Sequence, residues 1–259
     1  MTTHNQDSKT KSVSNKTNTT EIIFTAKEIE NALQFLGNEE KAKHLMRFFK
    51  TGKGQYGEGD LFLGIVVPES RKVAKAYQAT PIDEIKKLIQ SPFHECRLVA
   101  LMILIEQYKK ANDAYREEIV QFYLAHTIYI NNWDLVDLSA DKILGAYLKE
   151  RDRDLLYQLA KSSLLWEQRI SIVTTLAFVR KGDLDDALQL ARALVYHEHD
   201  LMRKAVGWVL REVGKKDRER LCLFLDEFAA TMPRTALRYA IEHFDESKRQ
   251  YYMNLAKQK

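Results

Sequence analysis

The chain has 259 residues, 45% of them hydrophobic, enough to build a sizeable core in one large or two small domains. Its 10 glycines and 4 prolines are too few for the turns of an all-β fold, and no run approaches the roughly 20 apolar residues of a membrane span. The formal charge of +4 is too small to identify a partner, so where the charges fall matters more than their sum.

Residues 1–21 open with MTTHNQDSKTKSVSNKTNTT, a polar stretch that reads as a disordered tail. It lacks the apolar segment of a signal peptide and the arginines of an organellar presequence, so the expected location is cytoplasmic, or nucleoid-associated in a bacterium. From 22 to 259 a single helical domain is expected, because Leu/Ala/Lys/Glu-rich stretches of helical period follow one another almost without a break. The pattern predicts helices near 25–36, 38–50, 68–78, 81–90, 93–110 and 112–127. Further helices are predicted near 132–149, 152–160, 164–180, 184–197, 200–214, 216–230, 234–244 and 246–257. Pro68, Pro81, Pro92 and Pro233 sit at or just before helix starts, and Asn38 and Asp183 are expected N-caps. Short connections imply antiparallel helix pairs. The fold class is all-α.

One connection is unusual. The stretch GKGQYGEGD at 52–60 holds four of the ten glycines. It is not a phosphate-binding P-loop, since no Gly-Lys-Ser/Thr follows and no strand precedes it. A simple surface excursion is expected, with a loop that approaches a ligand as the alternative. Cys96 and Cys222 both lie in apolar helical patterns and are expected as small core residues of a reducing compartment, not as a disulfide. Neither forms a CxxC and the 7 histidines show no ligand spacing, so no metal site and no cofactor are expected.

The most informative pattern is an internal repeat. Amphipathic stretches begin at Arg97, Trp133, Arg169, Arg203 and Arg234, separated by 36, 36, 34 and 31 residues. In that frame Trp133, Arg169 and Arg203 hold the first position, Asp137 the fifth and Trp208 the sixth. Stacked helical repeats bring equivalent positions together on one surface, which implies a right-handed solenoid of helix pairs with a concave face. Two indoles, a carboxylate and a guanidinium would then share one groove. Each has a plainer reading: Asp137 as a solvated or capping carboxylate, Trp208 as core, Arg169 as a surface ion pair. Trp133 and Asp137, four apart, share a helix face, with Leu135, Val136 and Leu138 available for packing. Gly207 inside a strong helical pattern costs about 1 kcal/mol against alanine and points to a close approach. Trp166 falls outside the register and is assigned to packing.

Basic residues cluster at Arg71, Lys72 and Lys75, and again from Arg203 and Lys204 through Arg211 to Arg220. Such clusters suit a polyanion, with Arg71, Lys72, Arg203, Lys204 and Arg211 the expected contacts. On charge alone an ordinary solvated face is the favoured reading, since Glu212, Asp217 and Glu219 are interleaved. No catalytic triad or nucleophile elbow is visible.

NNWDLVD at 131–137, LWEQRIS at 165–171, KAVGWVLRE at 204–212 and LFLGIVVPESR at 61–71 resemble motifs of the AlkD-like DNA alkylation repair glycosylases. The resemblance spans roughly 25–250, and its motifs occur in order. It implies a HEAT-like array cradling double-stranded DNA and removing alkylated purines, with Trp133 and Trp208 as groove tryptophans, Asp137 as the catalytic carboxylate and Arg169 as the active-site arginine. It further implies attack from the backbone side without base flipping. No lysine at a matching position suggests Schiff-base chemistry, so a monofunctional enzyme is expected, and such an array can work as a monomer. The competing reading is a non-catalytic repeat protein that binds DNA structures or protein partners, since fold alone does not settle function.

Overall fold

The structure, a computed structural model, describes residues 24–255; the tail expected over 1–21 lies outside them. Every regular element among the described residues is helical, apart from one isolated parallel bridge between Leu61 and Phe93. The first six helices are α1 (Ala26–Leu36), α2 (Glu39–Phe48), α3 (Val67–Ala76), α4 (Ile82–Ile89), α5 (His94–Lys110) and α6 (Asp113–Ala125). After a 3-10 turn at Thr127–Tyr129 come α7 (Trp133–Ser139), α8 (Leu144–Leu148), α9 (Asp154–Ala160), α10 (Leu165–Thr174) and α11 (Leu176–Val179). The chain continues through α12 (Asp185–Leu194), α13 (Asp200–Lys216), α14 (Arg218–Phe228), α15 (Arg234–Ala240) and α16 (Glu246–Leu255).

The repeat read from the sequence becomes a layer. Its five segments are α5, α7, α10, α13 and α15, and each packs directly on the next. A second layer covers them: α4 on α5, α9 on α10, and α12 and α14 on α13. α5 is buried on nearly every face, as expected of a helix apolar all round. One continuous cluster of buried side chains runs from Ala26 to Tyr252. A satellite of Ala42, Phe49 and Phe62 lies under α2, with Trp133 against it. Both cysteines are free, Cys96 buried and Cys222 partly so.

Two predicted helices are broken. The stretch 132–149 divides into α7 and α8, because the Ser139 hydroxyl bonds back to the Leu135 carbonyl at 2.6 Å and competes with the helical ladder. The break turns Asp141 inward, where Arg180 meets it at 2.5 Å. The stretch 164–180 divides at Thr175, where Thr174 and Thr175 hydroxyls bond to the Ile170 and Ile172 carbonyls. Asn38 caps α2 as expected, accepting from Lys41 N–H at 2.9 Å. Asp183 is not a cap: Leu184 precedes α12, and the Asp183 carboxylate pairs with Arg153 at 2.7 Å.

Candidate active-site groove

α7 begins at Trp133 because Asn132, in extended backbone, turns its side-chain oxygen onto the Trp133 N–H at 2.8 Å. One turn on, Leu135 and Val136 point into the core and Asp137 turns the other way, with 20% of its side chain exposed. Across from it on α10, Arg169 has only 6% of its side chain exposed and meets the carboxylate with two parallel hydrogen bonds. Nε donates to Oδ1 and Nη2 to Oδ2, both at 2.8 Å. Nη1 donates to the Leu201 carbonyl at the start of α13, at 2.5 Å. The guanidinium therefore ties α7, α10 and α13 together at one point. Burial pushes the Asp137 carboxyl above the ordinary carboxylate range, while Arg169 opposes that shift.

Trp208 stands on α13. Its neighbour Gly207 has no room for a side chain, since a Cβ there would lie 2.5 Å from the Ala236 carbonyl oxygen and the Tyr239 Cβ. α15 thus packs tightly behind α13, and Trp208 is left half-buried at the groove wall. Trp133, Asp137, Arg169 and Trp208 line a single groove of about 830 Å³, together with Lys204 and Arg211. Arg71, Lys72 and Arg203 do not line it. Arg71 and Lys72 are exposed on α3, Lys72 paired with Glu69 at 2.7 Å, and Arg203 donates to the His197 carbonyl at 2.9 Å. Trp166 is half-buried, packed beside the groove.

Trp133 is braced from behind. Its indole stacks on Phe49 (5.4 Å, 21°), Phe49 on Phe62 (5.0 Å, 19°), and Phe62 on the imidazole of His94 (4.5 Å, 18°). His94 is buried, with Nε2 at 2.8 Å from Asp134 and Nδ1 at 3.4 Å from Asp60. Burial pulls its pKa down, but the Asp134 and Asp60 carboxylates outweigh that and raise it to about 9. Burial likewise works against the Asp60 charge; His94, Arg97 (2.7 Å) and Asn131 (3.0 Å) overcome it and hold that carboxyl below its usual range.

The stretch 52–60 is not the surface excursion expected. Gln55 and Tyr56 line the groove, as do Phe48 and Lys50 just before it. Tyr56 reaches edge-on to Trp166 (6.0 Å, 74°) and to His199 (6.3 Å, 80°), the cap of α13. Asp60 anchors the other end of the stretch in the His94 network. A lone aromatic among four glycines was the available sign. His199 accepts from Leu201 N–H through Nδ1 at 3.2 Å, and burial with the nearby Arg169 holds its pKa below the usual histidine range. No cluster of groups able to hold a metal ion occurs among the described residues. The groove instead offers an anion between aromatic walls, an arrangement that stabilises positive charge.

Among solved structures, the chain is similar to a predicted DNA alkylation repair enzyme from Enterococcus faecalis, with a TM-score of 0.63 at 19% identity over 83% of this chain and 99% of that one. It is also similar to AlkD2 from Streptococcus mutans, with a TM-score of 0.51 at 17% identity over 85% and 97%. At these identities the likeness is one of fold. No curated protein sequence matches the chain. The model of a family described as DNA alkylation repair enzyme matches residues 29–244, a span that takes in the groove and every helix facing it. On that match the chain belongs to the DNA alkylation repair enzyme family.

Proposed function

We propose that the groove hydrolyses the N-glycosidic bond of cationic alkylated purines, 3-alkyladenine and 7-alkylguanine, in duplex DNA. The observation that carries this reading is a carboxylate fixed at both oxygens by Arg169 within a groove bearing Trp133 and Trp208. A purine alkylated at N3 or N7 is already positively charged, so it departs with the bonding electron pair as a neutral base. The deoxyribose left behind takes on oxocarbenium character. Asp137 faces that charge. At about 4 Å and an effective dielectric of about 20 the attraction is on the order of 4 kcal/mol, roughly a thousandfold in rate.

Arg169 occupies one lone pair on each Asp137 oxygen. A carboxylate accepts about four hydrogen bonds, so sites remain to orient the water that adds to C1′ and to take up its proton. The indoles of Trp133 and Trp208 pack against the sugar and phosphate backbone and offer π faces to the cation. In this reading the base stays near the helix and does not flip, and no lysine forms a Schiff base, so strand cleavage does not follow. In this reading the two Arg169 N–H groups left over by Asp137 and the Leu201 carbonyl, with the ammonium of Lys204, are the donors the groove offers the phosphates.

The test is release of free base from methylated duplex DNA by the parent protein and by Asp137→Asn. Release of 3-methyladenine or 7-methylguanine by the parent, lost in the variant, supports both enzyme and carboxylate. Release by both overturns the role of Asp137. One observation favours a second reading, a DNA-binding protein without hydrolysis: Asp137 and Arg169 satisfy each other as a structural ion pair would. Salt-sensitive duplex binding with no base release would establish it.

A further inference from the structure

The cations lining the groove differ in what they already hold. Arg169 commits three donors to Asp137 and the Leu201 carbonyl. Lys204 lies 2.7 Å from Asp200, and Arg211 is gripped by Glu242 with Glu212 at 3.6 Å. Lys50 is exposed at the groove and has no carboxylate within ion-pair distance among the described residues. A cation already paired must give up its carboxylate to take a phosphate, whereas a free one gives up only water and counterions.

The backbone explains how Lys50 comes to stand there. α2 ends in a Schellman turn: Thr51 N–H donates to the Met46 carbonyl at 3.1 Å and Lys50 N–H to the Arg47 carbonyl at 3.4 Å. The residue between must be left-handed, and Lys50 has φ 57°, the one positive φ outside glycine among the described residues. Glycine is the usual occupant, because a Cβ crowds the following carbonyl. The turn is pinned from the far side as well. Gly57 N–H donates to the Lys50 carbonyl at 3.1 Å, and a Cβ on Gly57 would lie 2.5 Å from the Phe49 carbonyl oxygen. A charged side chain held at a position that favours glycine, at the edge of the groove, is local strain that a ligand of opposite charge would account for.

We propose that Lys50 is a phosphate ligand, contacting one phosphodiester of the DNA strand that lies against Asp137. The inference rests on the groove being the seat of duplex DNA, not on glycosidic hydrolysis. Lys50 then belongs to the binding machinery and adds, from the end of α2, a phosphate contact to the groove that Lys204 and Arg211 of α13 also line.

The experiment measures the affinity of the full chain for a short unmodified duplex across a salt series, for the parent, Lys50→Gly and Lys50→Arg. Glycine suits the left-handed turn, so its melting temperature stays level or rises and a loss of binding is not a loss of folding. Loss of one phosphate contact flattens the slope of log K against log salt by about 0.9, and weakens binding about eightfold at 0.1 M salt. Lys50→Arg keeps the parent slope. A Lys50→Gly protein with the parent slope overturns the assignment, as does a Lys50→Arg protein that loses it. A parent that binds duplex without salt dependence overturns both Lys50 and the groove as a DNA seat. Absence of base release, with the slope change intact, sinks only the glycosidic reading and leaves Lys50 in place.

Discussion

Arg169 and Asp137 are 32 residues apart in the chain and share two parallel 2.8 Å hydrogen bonds at a point where Arg169 joins α7, α10 and α13. The guanidinium fixes which way the carboxylate faces, and the groove fixes what it faces. A carboxylate free to rotate would lose that aim.

Replacing Arg169 by alanine leaves a largely buried carboxylate without its partner. A loss of about 3 kcal/mol is expected, because removing one member of a buried pair strands the other charge. Urea denaturation of the parent and variant checks it. A change within 0.5 kcal/mol would mean that the pair is solvated in practice.

Burial raises the Asp137 pKa, and only the ionised form can stabilise a cationic sugar. The ionised form exists above the pKa, so base release should fall on acidification at a higher pH than an exposed aspartate would give, near 4. The pH dependence of the single-turnover rate on methylated duplex measures this. An acid limb at or below 4 would show that Arg169 outweighs burial.

His94 supplies a second pH dependence, in stability. Its folded pKa of about 9 lies above the ordinary 6.5, so its contribution is fully present below pH 6.5 and is lost as pH rises through 9. The difference corresponds to about 3 kcal/mol. Unfolding free energies from pH 6 to 9.5 should decline in the parent and much less in His94→Gln. Parallel curves would mean that His94 is neutral between its two carboxylates.

Gly207→Ala should lower the melting temperature despite alanine's better helix propensity. The added methyl meets a backbone oxygen at 2.5 Å and cannot be relieved by a rotamer change, so α15 must move at a cost of about 2 kcal/mol. Thermal melts decide the sign, and a rise would show that the α13–α15 contact yields easily.

Tyr56→Ala removes two edge-on aromatic contacts, each worth about 1 kcal/mol, that tether the 52–60 stretch to α10 and α13. Limited proteolysis should then cut this stretch several-fold faster than in the parent. Equal rates would mean that Asp60 and Gly57 hold it unaided.

Most of the helices, their repeat and the grouping of Trp133, Asp137, Arg169 and Trp208 were determined by the sequence alone. Each depends on spacing within one helix or on equivalent positions in successive ones, and a stacked array converts such spacing directly into proximity. What only the tertiary structure decided depends on groups far apart and out of register. Asp60 meets Asn131 across 71 residues, His94 meets Asp134 across 40, and Tyr56 crosses to Trp166 and His199. The breaks in 132–149 and 164–180 belong here too, since hydroxyls of Ser139, Thr174 and Thr175 act on carbonyls that a periodic pattern leaves unmarked. Periodicity records which face of a helix is buried; it carries no record of the partner a buried charge finds or of the wall a glycine-rich loop leans on.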